Sequence, residues 1–257
     1  MNKLTRIVAA VPTLACLLAA TGKSGQAFDK KNIGDDHKTM MQGLTLRLDS
    51  LDGLDVQGIT EEGADPVKIR KSVASYRGRL AVGIVDDDGA SATATRGGQV
   101  LAIVKNSDFK DGTIEAEVAG VPRQGAKPGT RGFIGIAFRV QDHGSRFEAF
   151  YLRMTNGRAD DQERRNHATQ YVSEPDFPWH RLRDEKPGMY ESYVDLVVGA
   201  WTRIKIVVSG IKAQLYVNNS EEPCLNVNDL KLGETHGQVA LWAGSDTEAY
   251  FSNLKVR

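Results

Sequence analysis

Only two cysteines occur in 257 residues, Cys16 and Cys224. Two cysteines cannot build a disulfide framework, so stability must come from a packed core. Proline is sparse, at eight residues, and no collagen period or low-complexity run is present, which excludes fibrous and disordered classes. Neither charge is in excess: 33 Lys and Arg balance 33 Asp and Glu. The electrostatic footprint of a nucleic-acid binder is therefore missing, and no nucleic-acid partner is expected. No stretch supplies the roughly 20 uninterrupted apolar residues of a membrane-spanning helix. A Gly-rich phosphate loop and a G-x-S-x-G nucleophile elbow are also lacking. His143, His167, His180 and His236 show no zinc-ligand spacing.

The first residues read as a secretory signal. Lys3 and Arg6 form a basic start, an apolar stretch from Ile7 to Ala20 is interrupted by Pro12 and Thr13, and Gly25 and Ala27 place small side chains before a cleavage point. Residues 1–27 are expected to be removed, leaving Phe28 to Arg257 as one secreted or periplasmic domain. A lipoprotein reading at Thr13-Leu14-Ala15-Cys16 is weakened by apolar residues continuing past Cys16. Cys224 then remains alone between Pro223 and Leu225, with no basic neighbour to activate it, and reads as a buried structural thiol.

From about residue 80 onward the dominant period is two. The segments 99–104, 113–118, 133–140, 147–153, 203–208, 213–217 and 239–243 are strand-length and rich in β-branched and aromatic residues. Turn signals such as Lys110-Asp111-Gly112, Asp142-His143-Gly144 and Asn218-Asn219 separate them. No helical stripe exceeds about ten residues. The expected fold is all-β: a two-sheet antiparallel sandwich, because so many antiparallel strands must hide their edges. Residues 28–79, with one probable strand at Leu44–Leu48, read as an N-terminal arm packed on that sandwich.

The phrases Phe109 to Val118, Gly132 to Arg139, Trp201 to Ser209, Ala213 to Asn218 and Tyr250 to Val256 resemble the concanavalin A-like lectin/glucanase superfamily. The likeness covers roughly residues 98–257 and is nearest to the branch of laminin-G-like modules and 3-keto-disaccharide hydrolases. It implies a jelly roll whose concave face takes a carbohydrate or glycoside. That superfamily includes both binders and glycosidases, and a structural calcium is implied as well, for which Asp86-Asp87-Asp88-Gly89 is the nearest sequence feature. Those four residues read equally well as a hairpin turn.

Residues 155–194 form a long insert between strands. Tyr171, Phe177, Trp179, Tyr190 and Tyr193 are interleaved there with charges of both signs, a composition that predicts an ordered segment folded over one face. Alternation predicts the floor beneath it. With Ile134, Ile136, Phe138 and Val140 on the core side, Gly135, Ala137 and Arg139 point outward, and so do Ala149, Tyr151 and Arg153 of the next strand. Sugars are held by aromatic faces and planar hydrogen-bonding groups. Asn156, Arg164, Arg165 and Asn166 fit that inventory, as do Gln170, Tyr171, Trp179, Arg181 and Tyr190, with Trp179 as the stacking platform. For catalysis the candidates are Asp161, Glu163, His167 and Glu191, since glycosidases need two carboxyl groups flanking the bond. The acidic E-x-D-x-(x)-E strand motif of the retaining β-glucanases of this superfamily is absent, which counts against that activity. A lyase using His167 or Tyr171 as the proton carrier and arginines against charge is a further option. The expected function is carbohydrate recognition with hydrolysis, the alternative a non-catalytic glycan-binding module or an envelope protein-interaction domain.

Overall fold

The period of two becomes fifteen strands, two short helices and one 3-10 turn among the residues described by the computed structural model, namely 43–46, 48–59, 69–86, 98–126 and 128–257. In chain order the strands are β1 (Leu44–Leu46), β2 (Leu54–Ile59), β3 (Ile69–Tyr76), β4 (Arg79–Asp86), β5 (Gln99–Val104), β6 (Gly112–Pro122), β7 (Phe133–Gln141) and β8 (Arg146–Arg153). They continue as β9 (Thr169–Glu174), β10 (Glu191–Ser192), β11 (Thr202–Ser209), β12 (Lys212–Val217), β13 (Leu225–Val227), β14 (Gln238–Gly244) and β15 (Thr247–Val256), with helices α1 (Gln162–Asn166) and α2 (Trp179–Glu185) in the insert. The expected leader at 1–27 and most of the Asp86–Gly89 segment lie outside the described residues.

Two antiparallel sheets result. One runs β13-β12-β11-β6-β15-β4-β3, with β1 also on β15, and the other runs β10-β9-β8-β7-β14-β5-β2. The sandwich expected from the alternation is therefore present. Its core lies between the sheets, where Ile134, Ile136 and Phe138 of β7 and Phe150 and Leu152 of β8 meet Ile114 and Val118 of β6 and Ile204 and Ile206 of β11. Burying each of these side chains contributes about 1.5–3 kcal/mol before entropy. Of the expected arm at 28–79, residues 43–46, 48–59 and 69–79 are described, and within them β2 ends the seven-stranded sheet and β3 the other.

The insert departs from the expectation of a segment laid over a face. In β9, Tyr171 faces the core between the sheets and Val172 the opposite face, and the insert extends the seven-stranded sheet through β9 and β10, with α1 and α2 as the connections.

A second apolar cluster contains only residues of the seven-stranded sheet, among them Leu101, Ala137, Val140, Phe147, Ala149, Tyr151, Val172 and Trp242. It marks the face turned away from the other sheet. At one end of that face a register shift between Phe138 and Gln141 breaks the β7–β8 ladder, and Arg139 adopts a φ of 52°. The turn Asp142–Gly144 follows, and its His143 carbonyl accepts from the Gln57 amide of β2. Since β14 and β5 lie between β7 and β2, the turn crosses the outer face.

Candidate functional site

The outer face of β7, β8 and β14 carries an aromatic pair. Tyr151 and Trp242 stack with ring centroids 4.5 Å apart and 17° between planes, and Phe133 meets Tyr151 edge-on at 6.1 Å. Tyr151 and Trp242 belong to strands on either side of β7, about 9–10 Å apart at the backbone, and both are register partners of Gly135. The rings touch because they lean over the missing side chain of that glycine. A Cβ there would lie 2.1 Å from the Phe150 carbonyl oxygen and 2.6 Å from Tyr151 Cα. The indole N–H of Trp242 donates to Gln99 Oε1 at 2.6 Å, and the Gln99 amide donates to Glu174 at 3.2 Å.

Beside the pair, β8, β9 and β10 bring polar groups together. Arg153 donates to Gln170 Oε1 at 2.8 Å, to the His167 carbonyl at 3.0 Å and to the Tyr151 hydroxyl oxygen at 3.3 Å. Glu191, its side chain only 2% exposed, lies 3.5 Å from Arg153 and 3.1 Å from His167 Nε2. Arg183 of α2 donates from Nε to Glu191 at 3.0 Å, and its guanidinium covers the Trp179 ring at 4.7 Å. One carboxylate is thus shared by two arginines and an imidazole. Burial pushes the Tyr151 hydroxyl up to about 12, against the opposing pull of Arg153, so it stays protonated at neutral pH. Burial also holds His167 below its usual value, outweighing the attraction of Glu191, and the charges of Arg183 and Arg153 act in the same direction as burial. The imidazole is therefore neutral at neutral pH.

Of the residues expected from sequence, Tyr151, Arg153, His167, Gln170 and Glu191 converge here. Asn156 joins them by donating to the His167 carbonyl at 3.1 Å, and Arg164 approaches Asn156 Oδ1 at 3.5 Å. The others fall elsewhere. Arg139 was expected on this floor, but the bulge at its positive φ turns it inward, where it is fully buried and donates to the carbonyls of Gly233, Gly210 and Lys110. Tyr171 follows Gln170 in a strand and so faces the core, where its hydroxyl donates to the buried Glu148 at 2.9 Å. Tyr190 likewise packs in the core, with its hydroxyl on Asp229 at 2.7 Å. Asp161 caps α1 by accepting from the Arg164 amide, and Glu163 is exposed. Arg165 bonds the Tyr193 hydroxyl, and Asn166 accepts from Gln162. Arg181 pairs with Glu185 over the Phe177 ring. Trp179, 44% exposed, reaches the cluster through Arg183 alone.

The residues that sequence reasoning missed are Trp242, Arg183, Gln99 and Glu174. Trp242 was legible: Val239, Leu241 and Ala243 take the core side of β14, so Ala240 and Trp242 must take the other. Cys224 is half-buried against the Leu215 carbonyl, and burial raises its thiol to about 12, which leaves no thiolate at neutral pH. Among the described residues, no group of three His, Cys, Asp or Glu side chains converges to hold a metal ion, and the Asp86-to-Gly89 feature linked to the implied calcium lies mostly outside them. No described helix is long and apolar enough to cross a membrane.

The two antiparallel sheets define a galectin-like β-sandwich, the fold of a solved structure that aligns with most of the chain. Within that class the chain belongs to the family of 3-keto-alpha-glucoside-1,2-lyase-like domains, which matches residues 49–257. Among solved structures it is similar to a Bacillus subtilis protein of unknown function with a galectin-like fold, at 10% identity and a TM-score of 0.51, covering 83% of this chain and 96% of that one. It is also similar to the carbohydrate-binding module CBM66 from Bacillus subtilis, at 12% identity and a TM-score of 0.45, over 74% and 96% of the two chains. The metal-free exoplasmic/lumenal domain of VIP36 aligns at 12% identity and a TM-score of 0.48, over 84% and 91%. No curated protein matches the sequence.

Proposed function

We propose that the protein binds a saccharide on the outer face of the seven-stranded sheet and cleaves a glycosidic bond there. The observation that carries this reading is the Tyr151–Trp242 pair, each residue 4% exposed, bordered by Arg153, Gln170, His167 and Glu191: stacked aromatic rings with planar polar groups at their edge are the lining that holds a sugar ring. Family membership and the galectin-like fold of the Bacillus subtilis protein support it. Secretion, expected from the first 27 residues, fits a glycan ligand.

Elimination suits these residues better than two-carboxylate hydrolysis. Asp161 is occupied as a helix cap, Glu163 is exposed, and Glu191 is held by cations, so these three do not supply the pair of free carboxyl groups that hydrolysis needs. A ketone at C3 of a glucoside, the feature in the family's description, acidifies the hydrogen on C2. Neutral His167 removes that proton, the C1–C2 double bond forms as the C1–O bond breaks, and protonated Tyr151 supplies a proton to the departing oxygen. Glu191 stabilises the imidazolium that results, and Arg153 stabilises charge developing on the ketone oxygen.

The test is incubation of the protein with a 3-keto-glucoside and with the unoxidised glucoside, following ultraviolet absorbance of a conjugated enone. Enone formation that is lost in His167→Ala supports elimination. A reducing 3-keto sugar without enone establishes hydrolysis, and affinity without any product reduces the function to binding. No affinity for either compound overturns the reading.

A further inference from the structure

Charge is distributed unevenly around this site. Glu191 is matched by Arg153, Arg183 and His167, and has no capacity left for further cations. Two more arginines stand at the same end of the sheet. Arg131 precedes β7, and its carbonyl accepts from the Thr155 amide just past β8 at 3.0 Å. Arg164 of α1 reaches Thr155 and Asn156 only through contacts of 3.4–3.5 Å, and its buried Nε has no hydrogen-bond partner. Asn156 in turn shares the His167 carbonyl with Arg153, so the two arginines adjoin the cluster directly. Among the described residues, neither Arg131 nor Arg164 forms an ion pair with a carboxylate. Asp161 bonds the backbone amide of Arg164 and not its guanidinium. The two residues meet at Thr155, whose amide donates to the Arg131 carbonyl at 3.0 Å and whose hydroxyl accepts from Arg164 at 3.4 Å, and burial together with the charges of Arg164 and Arg153 depresses Arg131. Unpaired, partly buried guanidinium groups are costly unless an anion completes them.

We infer that Arg131 and Arg164 form an anion subsite, and that the saccharide taken by this face carries a carboxylate or sulfate group directed at them. The inference rests on the saccharide-binding reading and names the class of ligand: a glycoside that carries an acidic group beside the sugar held at the ring pair. Planar guanidinium forks suit both anions, since each can accept two parallel hydrogen bonds.

The experiment is calorimetric titration with trigalacturonate, a sulfated galactose trisaccharide and neutral galactotriose, at low and high salt. The variants are Arg131→Gln, Arg164→Gln and the double substitution, with folding checked by circular dichroism. The expected result is a preference of about tenfold or more for at least one acidic probe, the size of a charged hydrogen bond. High salt should weaken that preference, and the double variant should abolish it while affinity for galactotriose persists. Response to both acidic probes assigns the preference to charge, and response to one identifies the group. Binding of galactotriose without an acidic preference, or a preference that survives the double substitution, overturns this inference alone. Absence of binding by all of these probes to the folded wild-type protein overturns this inference, while the saccharide reading itself stands or falls on the test with the 3-keto-glucoside. The salt dependence of the wild-type protein tests the inference even if the variants fail to fold.

Discussion

Glu191 illustrates how one side chain can control its neighbours. Its carboxylate is nearly inaccessible and faces Arg153, Arg183 and His167. Glu191→Leu leaves Arg153 charged and buried without its partner, so stability should fall by about 3–5 kcal/mol, as when one member of a buried pair is removed. Denaturant titration measures that loss. Glu191→Gln keeps the shape but removes the attraction that raises the His167 pKa, so the imidazole should titrate at still lower pH, observable by NMR. His167 itself makes stability depend on pH. Its folded-state value lies below the ordinary 6.5, so the unfolded chain binds the proton more readily. Its contribution is complete above about pH 6.5 and is lost as pH falls through the window beneath. Melting curves should show the wild type losing stability relative to His167→Gln between pH 6.5 and 5, and parallel curves would contradict the assignment.

At the level of elements, β7 determines the site without supplying its polar groups. Gly135 lets Tyr151 and Trp242 meet from the strands on either side. Gly135→Ala places a methyl group against the Phe150 carbonyl and the Tyr151 backbone, and both are main-chain atoms that cannot rotate away. Stability should fall by about 1–3 kcal/mol, as in overpacked interiors, and saccharide affinity should fall with it because the ring pair is displaced. Trp242→Ala should lose affinity while the strands remain paired. The period of two made much of this readable from the sequence. Tyr151, Arg153 and Gln170 alternate outward as regular strands require, and Gly135 and Ala137 were informative because small residues on an outer face need a reason. The same rule failed at Arg139, because a bulge adds a residue and reverses the side. At Tyr171 it carries no clear signal, because β9 is only six residues long and lies within a charged insert. Arg183 carried no periodic signal: it lies on a helix of seven residues, and its role depends on a contact with Glu191 eight positions away.

Across the whole molecule, the buried Arg139 joins the two sheets. It sits in β7 of one sheet, yet its guanidinium donates to the carbonyls of Lys110, just before β6, and Gly210, in the β11–β12 turn of the other sheet. A third bond reaches Gly233 ahead of β14 at 2.6 Å, and Glu148 of β8 lies 3.6 Å away. Three carbonyl acceptors and a carboxylate satisfy a group that burial would otherwise penalise heavily. Arg139→Ala removes all of these at once and leaves Glu148 buried without its cation. Stability should fall by about 3–5 kcal/mol, which for a domain of this size lowers the melting temperature by about 10 °C. The outer face receives no hydrogen bond from Arg139, so saccharide affinity below the melting transition should be unchanged. A measured loss of affinity at 20 °C would return Arg139 to the binding site, whereas a loss of stability alone would establish that one arginine can be indispensable to the sandwich while taking no part in what the sandwich binds.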